Sequence, residues 1–352
     1  MFFNNLIFIF ILIVYSYFLN RILLNIFNKS RITGLSDSNF DKPQAFHENP
    51  TYRLGGITIF LGLVLIFLYS FFFNKILYIE YLSFCIVFFI LGLIDDLKIN
   101  LKPKLRLFLM IFFLIFLIIY NNLYIEKTGL GFLNNLLEID IFALFFACLC
   151  FLFIINGSNL IDGFNGLLGI HSLIVFIILF IINFITGNND LAEIIFFVSL
   201  LTLIFLKFNF PKAQMFLGDS GAYLIGVLVA ISVIKTSNLN PSISPFFFCI
   251  LLFYLFFEVF FSFIRKLFFT RQSPLFPDGN HLRMFFYKFL LKKNIKKIKS
   301  NYMVTIYVNL LYIILIIPGI LFMKNGMFCK YYFLFLLLSY IYFYKMLYKK
   351  IK

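Results

Sequence analysis

Four acidic residues stand where carboxylates could do chemistry: Asp95 and Asp96 side by side in IDDLK, Asp162 in NLIDGFNG, and Asp219 in FLGDSG. Carboxylates of this kind are the usual oxygen ligands of Mg²⁺. Asp95 and Asp96 follow an apolar stretch ending at Ile94, where the negative end of a helix dipole disfavours acids unless a cation compensates. Lys98 and Lys104 could be that cation in a solvated interfacial patch; a bound divalent ion is the favoured reading. Asp219 precedes an apolar stretch beginning near Ser220, as an N-cap would. Gly218 and Gly221 on either side allow a close backbone approach that capping alone does not require.

Asp-Gly and Asn-Gly are strong turn formers, which would account for Asp162 and Asn165. Asn156 and Asn159 share a face with Asp162 if the preceding helix continues, and a turn needs no such stripe. A line of amides and a carboxylate suits the reading of a polar ring edge. Among the three histidines, His281 in PDGNHLR is the candidate for chemistry, His47 in AFHENP ranks below it, and His171 reads as a packed helix residue. Glu80, Glu193 and Glu258 lie in or near apolar stretches, where ionisable groups are functional suspects. Glu80 and Glu193 are close enough to the ends to reach outward, whereas Glu258 is deeper.

These residues must be positioned by membrane helices. Of 352 residues 62% are hydrophobic and 13% charged, with a mean hydropathy of +1.00, which excludes a soluble domain. Spanning needs about 20 apolar residues, and eleven stretches qualify: 2–27, 55–73, 76–94, 105–120, 139–155, 166–185, 191–207, 220–235, 245–264, 302–323 and 328–347. Their continuity argues for an all-α polytopic protein, since barrel strands alternate polar and apolar residues. The first stretch lacks a basic start and a small-residue cleavage site, so it is expected to stay. The five cysteines show no CxxC pattern and read as packing residues.

The net charge of +15 matters through its location. With the N-terminus outside and the C-terminus cytoplasmic, 24 of 30 basic residues fall on the inner side, as cytoplasmic segments favour. The charge therefore reports topology and contact with anionic membrane lipids, and no nucleic acid is expected. Every polar cluster then converges on the cytoplasmic face of one transmembrane domain, in segments 41–56, 94–106, 156–166, 208–221 and 265–301.

Taken together these segments resemble the polyprenyl-phosphate N-acetylhexosamine-1-phosphate transferases, a family that includes the phospho-MurNAc-pentapeptide transferases. The resemblance covers nearly the whole chain and rests on five motifs in order. They are DKPxxxHxxPTxRxGG (41–56), IDD with Lys104, NxxNxxDGxxGL (156–167), FNxPKAxxFLGDSG (208–221) and SPxxPDxNHL (273–282). It implies an enzyme of the bacterial inner membrane that moves a sugar-1-phosphate from a UDP-sugar to undecaprenyl phosphate with Mg²⁺, for which Mn²⁺ could substitute, and releases UMP. A homodimer is compatible with it. Asp219 resembles the family's Mg²⁺ ligand, with Asp95 and Asp96 completing the metal site or handling the lipid phosphate. Lys104 and His281 would stabilise phosphate charge, and Asn159, Asp162, Asn209 and Phe216 match positions lining the uridine pocket, Phe216 as a stacking surface.

The sequence departs from the family at several positions. His281 is followed by Leu282, Arg283 and Met284 where many relatives carry further histidines; Arg283 could take over a phosphate contact but cannot act as a base. Asn165 replaces a frequent Asp in the substrate-binding stretch, and Ala222 a usual Ser. The missing histidines favour the branch that begins O-antigen, capsule, common-antigen or teichoic acid chains. Basic residues 283 to 299 read as an interfacial segment on anionic headgroups. A transporter or flippase of lipid-linked sugars is the competing class, although no internal repeat is visible; an inactive scaffold of the same fold is another.

Overall fold

The computed structural model describes residues 2–30, 34–37, 50–99, 101–271, 273 and 278–351. In a bilayer a long apolar run satisfies its backbone only as helix, and each of the eleven expected stretches is helical. The first elements are α1 Phe2–Ser30, α2 Gly55–Tyr69 with a π-helical extension Ser70–Asn74, α3 Ile79–Asp96, α4 Pro103–Asn121 and α5 Gly131–Leu137. Next come α6 Asp140–Ile161, α7 Leu167–Ile185, α8 Asn189–Asn209 and α9 Gly218–Leu239. The last are α10 Pro245–Leu251, α11 Phe253–Ile264 with π-helical Arg265–Thr270, α12 Leu282–Lys292, α13 Lys297–Leu321 and α14 Gly326–Ile351.

Among the described residues, nine helices are long and apolar enough to cross a membrane, and the α10–α11 pair makes a tenth despite a 75° bend. The bend interrupts the single span expected over 245–264. The helix α3 stands outside that number because Glu80, Asp95 and Asp96 fall within its 18 residues. The all-α architecture carries one small addition: β1 Ser36–Asp37, β2 Thr51–Arg53 and β3 Met215–Phe216 form a short sheet, β2 antiparallel to β1 and parallel to β3. Strands of two or three residues are too short to show a period in sequence. Within the basic segment, α12 is amphipathic, burying Arg283, Met284, Tyr287 and Leu290 while Lys288 and Lys292 stay exposed.

At the centre of the bundle is α9, packed against α2, α3, α6, α7 and α8. Its small residues Gly221, Ala222, Gly226, Ala230 and Ser232 let those neighbours come close. By contrast α1, α4 and α14 turn Phe10, Phe112 and Leu338 outward. Lipid is as apolar as the interior, so side-chain size sorts the two faces more than polarity does. Gly92 of α3 faces the Ser220 backbone so closely that a Cβ there would collide with it. Gly92→Ala is expected to cost about 1–3 kcal/mol, as overpacking does, read as a lower melting temperature in detergent.

The two ends of the bundle differ. At one, Lys235 pairs with Glu80, Asn74 donates to Glu193 at 2.9 Å, and the Tyr78 hydroxyl donates to the Asp190 carbonyl. Glu80 and Glu193 are therefore held by partners near the helix ends. His171 is buried against the rings of Tyr254 and Tyr312, the packed role expected of it. The other end holds the C-terminal ends of α3 and α6, the N-terminal ends of α4 and α9, and the sheet.

Candidate active site

Asp96 closes α3 with a fully buried side chain whose oxygens take the N-terminal donors of α9. Oδ1 accepts from the Asp219 amide at 2.9 Å, and Oδ2 accepts from the Ser220 amide at 2.9 Å and the Ser220 hydroxyl at 2.6 Å. Gly218 permits this, because its φ of +78° turns the chain from β3 into α9 and its bare Cα faces the Asp96 carboxylate. An acid disfavoured by its own helix dipole is thus stabilised by the positive end of another. Arg53 Nη1 adds a contact at 3.3 Å. Both oxygens are engaged, so in this structure Asp96 serves as a cap on α9.

The same cap sets Asp219 in the first turn of α9. Its Oδ1 accepts from Asn159 Nδ2 at 2.7 Å, and its Oδ2 lies 3.7 Å from Arg53 Nη1. Arg53 is anchored by Asp37 at 2.7 Å and by the pairing of β2 with β3, which sets it opposite Phe216. Burial works against the charge of Arg53, but Asp219, Asp37 and Asp96 outweigh it and raise its pKa above the ordinary value. Asp95 receives Arg106 Nη1 at 3.2 Å and the Tyr223 hydroxyl at 3.3 Å. Asp162 caps the end of α6, and burial, together with Asp219 facing it, pushes its carboxyl up to about 8. Acids that disfavour one another's ionisation make a place suited to a cation.

Asp95, Asn159, Asp162 and Asp219 thus gather at the junction of α3, α6 and α9. Lys104 is exposed in the first turn of α4, and the cation that meets Asp95 is Arg106. Asn209 is committed to the chain itself: Oδ1 accepts from the Gly166 amide at 2.6 Å, and Nδ2 donates to the Met215 carbonyl at 2.8 Å. These contacts tie the 156–166 turn to β3. Asn165 donates to the Pro211 carbonyl at 3.0 Å, while Asn301 and Thr305 of α13 hold its backbone. Phe216 is partly exposed at the sheet edge.

Arg283 and His281 belong to a second, buried cluster. Arg283 is fully buried, with Nη1 3.1 Å from Glu258 Oε1 and Nη2 donating to the Leu160 carbonyl. Here it is paired with an internal acid, where a phosphate contact was expected. His281 places Nδ1 3.2 Å from Glu258 Oε1 and Nε2 3.2 Å from Asp278 Oδ1. Burial alone would raise the Asp278 carboxyl, but His281 and Arg265 hold it well below the usual carboxylate range. Leu160 lies between Asn159 and Asp162, so the two clusters meet at the end of α6.

Arg53, Arg106, Asp37 and Tyr223 were not singled out from sequence. Arg53 had a signal in its fixed place in PTxRxGG, and Arg106 in closing the basic run after IDD; Asp37 and Tyr223 had none. Residues 41–49, with His47, and 274–277 of the SPxxPD stretch lie outside the described residues. Among the described residues no three His, Cys, Asp or Glu side chains form a ready metal cage. Mg²⁺ does not need one, being held by one or two carboxylates with water and substrate phosphates. Asp219, with Asp95 and Asp162 near enough to affect one another's charge, offers hard oxygen donors of that kind.

Glycosyl transferase family 4 matches residues 78–237, the segment that carries Asp95, Asp96, Asp162 and Asp219. Over 238 residues the chain is 31% identical to the phospho-N-acetylmuramoyl-pentapeptide-transferase of Dictyoglomus turgidum, a match covering 66% of this chain and 73% of that one. Over 136 residues it is 29% identical to the undecaprenyl-phosphate alpha-N-acetylglucosaminyl 1-phosphate transferase of Thermotoga maritima. That match covers 39% of this chain and 40% of the relative's own length. Likeness therefore extends to both branches, and the family match runs through the helices that bring the acids together. With 73% of one relative covered at 31% identity, the chain belongs to the polyprenyl-phosphate sugar-1-phosphate transferases.

Proposed function

We propose that the protein transfers an N-acetylhexosamine-1-phosphate from a UDP-sugar to undecaprenyl phosphate and releases UMP. The observation that carries this is the meeting of Asp95, Asp162 and Asp219, from α3, α6 and α9, beside Arg53 and Arg106. In the reaction an oxygen of the acceptor phosphate bonds to the β-phosphorus of the donor. The bond from that phosphorus to the bridging oxygen breaks, and the bridging oxygen leaves with UMP. Several negative charges converge, so positioning and charge neutralisation dominate.

Asp219, with Asp95 or Asp162, would hold Mg²⁺, which when bound neutralises diphosphate charge. Arg53 and Arg106 are permanent cations whose planar forks suit phosphate oxygens. Asn159 orients Asp219 through its hydrogen bond, and Phe216 offers an aromatic face for uracil. The excess of basic residues in the segments at this end of the bundle supports a cytoplasmic position at a bacterial inner membrane, with the N-terminus outside. There the donor arrives from the cytosol and the acceptor from the bilayer. The absence of a run of histidines after His281 supports the branch that starts envelope polysaccharides other than peptidoglycan.

The test is purified protein in detergent with undecaprenyl phosphate, Mg²⁺ and a panel of UDP-N-acetylhexosamines. UMP and a lipid-linked sugar diphosphate should form with at least one donor, stop on chelation, and return with Mg²⁺ or Mn²⁺. If no donor yields UMP while reconstituted protein moves lipid-linked sugar between leaflets, the transporter reading replaces this one.

A further inference from the structure

Glu258 is a fully buried carboxylate on α11, beyond the bend, and the proposed reaction gives it no contact with substrate. Three elements converge on it. Oε1 lies 3.2 Å from His281 Nδ1, just before α12, and 3.1 Å from Arg283 Nη1 in the first turn of α12; Oε2 accepts from the Tyr340 hydroxyl of α14. The Tyr344 hydroxyl, one turn further along α14, donates to the Asn280 carbonyl at 3.1 Å and fixes the same loop. Arg283 then reaches the Leu160 carbonyl beside Asn159 and Asp162.

A buried ion pair is a weak source of stability, since well-packed apolar residues often serve as well. The pair therefore matters less for stability than for what it specifies, and what it specifies here is the His281 ring. With Nδ1 3.2 Å from Glu258 Oε1 and Nε2 3.2 Å from Asp278 Oδ1, the ring is held between two carboxylates, as a carboxylate holds a histidine it orients. We infer that Glu258 is a positioning residue that fixes the orientation of His281 from its Nδ1 side, opposite Asp278, with Arg283 as its countercharge and its link to α6. This rests on the proposed transfer reaction only for its kinetic consequence.

The experiment uses the full chain in detergent and the double variant Glu258→Met with Arg283→Met, which removes both charges together and keeps volume. Its melting temperature should stay near that of the unaltered protein. The chain has three histidines, so ¹⁵N-histidine spectra, with His281→Ala to assign the ring, read its Nδ1 side directly. The Nδ1–H signature of His281 should be present in the unaltered protein and lost or averaged in the double variant. In the UMP assay kcat should fall about 10–100-fold, the usual cost of losing an orienting partner, with the KM for UDP-sugar little changed. Adding His281→Ala to the double variant should then cost almost nothing more. An unchanged His281 signature, or a full additional loss from His281→Ala in that background, overturns the inference. Absence of UMP release by the unaltered protein counts against the proposed reaction, and the ¹⁵N spectra still decide the positioning.

Discussion

Asp219→Asn is expected to cut UMP release by about 10²–10³-fold or more, the range seen when one group stabilising transition-state charge is removed, while the protein stays folded. The substitution is nearly isosteric, and the backbone of α9 keeps its cap, because Asp96 bonds the residue 219 amide and Ser220, not the 219 side chain. Asn159 can still donate to the remaining amide oxygen. Arg53 loses one of three acidic partners, the most distant at 3.7 Å, and retains Asp37 and Asp96. What disappears is the negative charge best placed to help hold a divalent ion beside the donor diphosphate. The check is a UMP time course with the donor that works for the unaltered protein, together with a melting curve. Activity above a tenth of the original would remove Asp219 from the centre of the reaction.

The membrane architecture was readable because apolar runs of helical length admit one solution in lipid, and every expected stretch is helical. The bend between α10 and α11 was not, since Leu252 and its neighbours include no Pro or Gly to mark it. The acids were readable as a set, yet their division of labour was not. Asp95 and Asp96 are neighbours in sequence, but successive helical residues point about 100° apart. One therefore turns to Arg106 and Tyr223 while the other turns to the α9 N-terminus. The buried pairing of Arg283 was hidden for a similar reason. A lone arginine after His281 reads as a free cation until the fold brings Glu258, 25 residues earlier, against it. Arg53 needed β2 to pair with β3, a contact between segments about 160 residues apart that no local period announces.

The adjacent acids supply the second large effect, because the cap assigned to Asp96 predicts opposite behaviour for Asp95 and Asp96. Asp96→Ala should destabilise the protein by about 3–5 kcal/mol, the cost of removing one partner from a buried charged arrangement. It strands the amides of Asp219 and Ser220 and the Ser220 hydroxyl, and it withdraws the negative charge from the positive end of α9. At the few degrees per kcal/mol expected of a chain this large, the melting temperature should drop roughly 10 °C. Asp95→Ala gives up only a pair with the partly exposed Arg106 and a 3.3 Å contact to Tyr223. Pairs of that kind are worth about 0–1 kcal/mol, so this variant should melt almost normally and lose turnover. Asp96→Asn should fall between, since its remaining oxygen can serve one α9 donor while its amide group opposes the other. Paired melting curves and UMP assays on these variants distinguish a cap from a ligand. If Asp96→Ala melts like the unaltered protein and is merely inactive, its carboxylate is an open ligand, and the helix-capping account of this junction fails.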